Sequence, residues 1–133
     1  MNNLIAFMTT PVFYLTPYIA LWSVLIGAIS LVLLTPLRLE LPVQARASVW
    51  WATSLASLVW NWSIELNQST RYLNIDAPIV RVSWADGING VCVFAAVSMV
   101  LGMFTARDVP ASLVARVAGV AALVTLLADT LLF

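Results

Sequence analysis

The chain has no histidine, no lysine, a single cysteine and few charges of either sign. Each absence removes a class of chemistry. Without histidine, neither a Ser-His-Asp nor a Cys-His arrangement can form within the chain, and histidine-ligated haem and His-rich zinc sites go with it. Without lysine there is no Schiff base to retinal or pyridoxal phosphate. One cysteine, Cys92, excludes an internal disulfide framework; set among Val91, Val93 and Phe94 it reads as a small hydrophobe. The six basic residues are scattered arginines and the formal net charge is zero, so the clustered basic face of a nucleic-acid binder is missing. There is no G-x-G-x-x-G and no P-loop. Asp86-Gly87 and Asn89-Gly90 read as turn or cap chemistry. Asn61-Trp62-Ser63 and Asn67-Gln68-Ser69 match glycosylation acceptors, of consequence only in a eukaryotic secretory setting.

What is present is apolar. Of 133 residues, 62% are hydrophobic and 9% charged, whereas soluble domains run at roughly 45–50% and about 25%. The stretch from Met1 to Leu37 carries no charged side chain. About 20 apolar residues cross a hydrocarbon core roughly 30 Å thick. The expected fold is therefore an all-α membrane protein, a single domain of about four transmembrane helices in an antiparallel bundle. The expected spans are 16–37, entered at Thr16-Pro17; 48–66; 88–105, capped by Asp86 or Asn89; and 111–133, after Pro110. The segment before the first span, broken by Pro11, is too short to cross and suits the membrane interface; it lacks the basic region of a signal peptide. Residues 67–87 form the main loop. Arg38, Arg46, Arg107 and Arg116 against Arg71 and Arg81 favour both termini outside. The expected location is the bacterial inner membrane, with the lipid bilayer as first partner.

Polarity inside these spans marks the candidate sites. Counting back from Asp129 in steps of three and four gives Thr125, Ala122, Ala118, Ala115 and Ala111, bordered by Gly119. Small residues on one face let another backbone approach closely. Asp129 then either points into a helix contact or, being about 6 Å from the end of the chain, stays hydrated at the interface. Arg116 lies about 20 Å from it along the helix and can snorkel to the surface. In the second span Ser54, Ser57, Asn61, Glu65 and Gln68 form one polar face, read as packing polarity or as a wet conduit. The same helix holds Trp50, Trp51, Trp60 and Trp62. These pairs stand about 15 Å apart, too close for two aromatic belts, so they suit a partner protein, lipid, quinone or flat hydrophobic pigment. Span parity puts Glu65 and Asp129 toward one membrane face, which allows a shared ion site.

No catalytic group or metal cluster emerges, and neither an enzyme nor a cofactor is expected. Contact faces without chemistry point first to a non-catalytic subunit packed within a larger membrane complex. A homo-oligomeric ion or proton conduit using Glu65 and Asp129 is the alternative. An immunity or lysis-type small membrane protein is a third.

Overall fold

The computed structural model describes residues 11–37, 41–67, 82–105 and 108–132, and the regular structure among them is helical. The helices are α1 (Pro11–Leu34), α2 (Val43–Leu66), α3 (Trp84–Val100), which runs on through a π-helical turn at Leu101–Thr105, and α4 (Ala111–Leu132). Most of the expected main loop (68–81) lies outside the described residues, as do residues 1–10, 38–40, 106–107 and Phe133.

Three of the four helix starts expected from sequence shift, each for a local reason. α1 begins at Pro11 rather than Thr16, so residues 11–15 belong to its first turns. The rule that favours proline at the first helical position applies to Pro11, and Pro17 lies inside the helix. Its missing N–H removes one hydrogen bond, a smaller loss than unwinding a whole turn in an apolar setting. α2 starts at Val43, five residues before Ser48, because Gln44, Ala45, Arg46 and Ala47 are good helix formers and do not have to be membrane-embedded. There Arg46 Nε donates to the Leu41 carbonyl at 3.0 Å. α3 starts at Trp84 through a capping box. The Asp86 amide donates to Ser83 Oγ at 3.2 Å and the Ser83 amide to Asp86 Oδ2 at 2.9 Å. Ser83 is thus the cap, Asp86 its reciprocal partner three residues on, and Asn89 is released for another role.

Among the described residues three helices are long and apolar enough to cross a membrane: Thr16–Leu34, Trp84–Met103 and Ala111–Leu131. α2 is long enough but falls short in hydropathy. Hydroxyl side chains in its middle account for part of the shortfall. Thr53, Ser54 and Ser57 are buried, while Trp51, Leu55, Val59 and Trp62 are exposed. The hydroxyls in its middle are thus turned toward its neighbours and the outward face there is apolar, whereas Gln44 and Arg46 near its start are exposed and Asn61 and Glu65 near its end are half-buried.

α1 packs along α2, α2 against α3 and α3 against α4, and α4 returns to α1. The packing depends on small residues, since apolar contact alone does not drive helices together in lipid. A Cβ built on Gly27 would run into Ser54 Oγ and lie 2.9 Å from the Trp50 carbonyl oxygen, so α1 and α2 touch where only glycine fits. At Gly90 a Cβ would meet the Ala122 carbonyl at 3.4 Å, the close approach of α3 and α4. The interior divides into two halves. Leu34, Ala45, Val49, Val97, Leu101, Val117 and Ala118 form an apolar half. The later part of α2, the start of α3 and the end of α4 supply a polar half with Ser57, Asn89, Thr125 and Asp129, all buried.

Candidate functional site

The polar half contains a junction of three helices. Ser57 and Asn61, one turn apart, come from α2; Asn89 comes from the second turn of α3, directly after its cap; Asp129 comes from the last turns of α4. Asn89 is fully buried and Asp129 is 4% exposed. The Asn89 side-chain amide donates to Asp129 Oδ2 at 2.6 Å and to Ser57 Oγ at 3.2 Å. Asn61 Nδ2 donates to the same Ser57 oxygen at 3.3 Å. One amide thus ties α2, α3 and α4 together.

Both hydrogens of the Asn89 amide are committed, which fixes the amide plane. Its carbonyl oxygen Oδ1 and the second carboxylate oxygen, Asp129 Oδ1, are buried and have no protein donor. One turn back along α2, Thr53 Oγ1 and Ser54 Oγ are also buried without a partner. Other polar groups nearby are self-contained: Thr125 Oγ1 donates to the Ala121 carbonyl at 2.9 Å and Ser23 Oγ to the Ile19 carbonyl at 2.9 Å. Two pure acceptors, Asn89 Oδ1 and Asp129 Oδ1, are thus buried at the junction without a protein donor. Asp86, at the start of α3, adds negative charge to the surroundings of Asp129.

The two described arginines do not compensate that charge. Arg116 is thirteen residues before Asp129 on the same helix, about 20 Å along its axis, and is exposed. Arg46 stands eleven residues before Ser57, about 16 Å away along α2, and is also exposed. Among the described residues no group of three or more His, Cys, Asp or Glu side chains gathers in one place.

The remaining candidate residues distribute as follows. Asp129 is bonded to Asn89, and no bond joins half-buried Glu65 to the junction. Gln68 lies outside the described residues. Ala118 and Thr125 are buried within the bundle, and Ala122 lies against Gly90 of α3. Ala111 and Ala115 are exposed and line a groove with Phe94, Ser98 and Gly102. Arg116 and Gly119 border a shallower cleft with Leu37 and Leu123. Two tryptophans bind helices within the chain: Trp50 Nε1 donates to the Val24 carbonyl at 3.3 Å and Trp60 Nε1 to the Ala85 carbonyl at 3.0 Å. Trp51 and Trp62 are exposed. The Trp50 and Trp51 ring centroids stand 4.8 Å apart at a tilt of 55°.

Asn89 is the functional candidate that sequence reasoning assigned elsewhere, as a helix cap. The available signal was its place among Ile88, Val91 and Val93, where an amide needs a partner across the helix interface. Fold and junction together define a small all-helical protein of the membrane-compatible class, with a carboxylate-bearing polar centre inside its helices. No family model, curated protein or solved structure matches the chain.

Proposed function

We propose that the chain is a small membrane carrier or conduit for a small cation, protons included, with Asp129 as the group that bears the compensating charge. The observation that carries this reading is the Asn89–Asp129 contact at 2.6 Å, buried between helices, with one oxygen of each side chain left without a donor. A carboxylate held in a bilayer is costly, and such groups mark ion and proton pathways. The reading takes all four helices as spans of an antiparallel bundle in a bacterial inner membrane. Support for the fourth span is the middle of α2, where Thr53, Ser54 and Ser57 are buried and Trp51, Leu55 and Val59 face outward. Support for the antiparallel arrangement is the pairing of Trp60 with Ala85 and of Ser57 with Asn89, whose numbers run in opposite directions. The test is flux in proteoliposomes holding the purified chain, with cation-sensitive and pH-sensitive dyes inside. The wild type is expected to dissipate an imposed gradient and Asp129→Asn to lose that activity at least tenfold; unchanged flux in Asp129→Asn rejects the role.

A second reading, a non-catalytic subunit of a larger membrane complex, draws on one observation. Trp51 is 55% exposed beside Trp50 on the outer face of α2, a broad aromatic surface, and aromatic residues are enriched in the buried centres of protein interfaces. Native mass after gentle extraction tests it: a defined hetero-complex supports the subunit, and a pure homo-oligomer or monomer rejects it.

A further inference from the structure

We infer that the junction of Ser57, Asn89 and Asp129 is a binding site for a partly dehydrated alkali-metal cation, an inference that rests on the cation reading above and narrows it to a metal ion rather than a proton.

The donor set carries the choice of ligand. The atoms without a donor are oxygens, one from a carboxylate and one from an amide, in side chains at least nine-tenths buried. Hard oxygen donors suit alkali and alkaline-earth cations, whereas transition metals favour nitrogen and sulfur. The chain has no histidine, and Cys92 has no part in the junction's hydrogen bonds. Charge then separates the two hard classes. The junction holds one carboxylate, which one monovalent ion neutralises. Within the junction itself a divalent ion would leave a positive charge, with only the field of Asp86 outside it to offset that charge, and Mg²⁺ also gives up its waters reluctantly. Asp86 lies near Asp129 but is engaged with the Ser83 amide, so it contributes field rather than a ligand. Glu65 sits two turns beyond Ser57 on α2 without a bond to the junction, and Arg46 and Arg116 are remote.

The geometry is preorganised. Asn89 is held by its two amide bonds, so its carbonyl oxygen does not have to be ordered when an ion arrives. Asn61 donates to Ser57 Oγ and orients that hydroxyl from the other side. About one turn earlier on α2, Thr53 and Ser54 hold two further buried hydroxyls without a partner, Ser54 Oγ against Gly27 of α1. Fixed oxygens that take the place of part of a hydration shell are what a membrane protein needs to hold an ion between its helices.

The experiment uses the full chain in detergent. Its unfolding midpoint is measured while NaCl, LiCl or KCl replaces choline chloride at constant ionic strength and pH. A saturable rise of roughly 5 °C with at least one alkali ion is expected, because a ligand that binds only the folded state stabilises it by mass action. CaCl₂ at matched ionic strength should do no better than choline. Asp129→Asn should unfold cooperatively and lose the response; should it fail to fold, Ser57→Ala is expected to need a several-fold higher ion concentration for the same shift. Excess ²³Na linewidth on the wild type, reversed by lithium or potassium, gives a second readout independent of any variant. A midpoint that ignores alkali ions, or responds to pH alone, overturns the inference. Flux without an alkali response leaves the cation reading standing with the proton as cargo. An alkali response without flux leaves the site standing and removes the transport role.

Discussion

Asn89 and Asp129, forty residues apart in the chain, are joined by a 2.6 Å hydrogen bond between α3 and α4. A hydrogen bond to a charged group contributes about 1.5–3 kcal/mol, well above the mean of about 0.6 kcal/mol for polar contacts between membrane helices. Asn89→Leu removes the donor and leaves a buried carboxylate oxygen and the Ser57 hydroxyl without it. Equilibrium unfolding in mixed micelles should show a loss of about 2–3 kcal/mol. A change below about 0.5 kcal/mol would mean that the bond does not tie the helices together.

Gly27 and Gly119 are both in apolar helices but differ in what surrounds them. A methyl on Gly27 collides with Ser54 and the Trp50 backbone, whereas a methyl on Gly119 meets nothing within 4 Å. Gly27→Ala forces α1 from α2 and should cost about 1–3 kcal/mol, the usual range for overpacking. Gly119→Ala should be neutral or stabilising by a few tenths, since alanine is the better helix former by up to about 1 kcal/mol. Paired thermal melts of the two variants check the contrast, and equal shifts would contradict the packing at Gly27.

Trp60 and Trp62 are two residues apart on α2 but make different contacts. Trp60 donates to the Ala85 carbonyl in the first turn of α3, while Trp62 is exposed. Trp60→Phe keeps most of the ring and loses the bond, so stability should fall by about 1 kcal/mol. Trp62→Phe should change it by less than about 0.5 kcal/mol. Lipid-soluble quenchers checked by fluorescence should reach Trp62 more readily than Trp60.

Much of the architecture was legible in the sequence. Long uncharged runs around Leu21–Leu34 and Ala118–Leu127 dictate helices, because a backbone without water has to satisfy its own hydrogen bonds. The start of α4 behind Pro110 was readable for the same kind of local reason. Other boundaries were less so. The start at Pro11 and the cap at Ser83 were missed because two prolines and three cap-forming residues stood within a few positions of each other, and local rules rank them only weakly.

The polar centre divides in the same way. Periodicity placed Ser54, Ser57 and Asn61 on one face of α2, and Asp129 on the small-residue face of α4, since both follow from 3.6 residues per turn. Which residue meets Asp129 did not follow. Glu65 and Asn89 were both available near that end of the bundle, and the outcome depends on how far each helix is rotated and shifted along its neighbour. Rotation and shift are set by the close approaches at Gly27 and Gly90, each a contact between two segments distant in the chain. The sequence by itself determined four helices and the faces that carry polarity, because these depend on local spacing and composition. Only the tertiary structure decided that one asparagine amide holds three helices and leaves two oxygens beside it without a donor, because a contact between helices is a property of their pairing and not of any one segment.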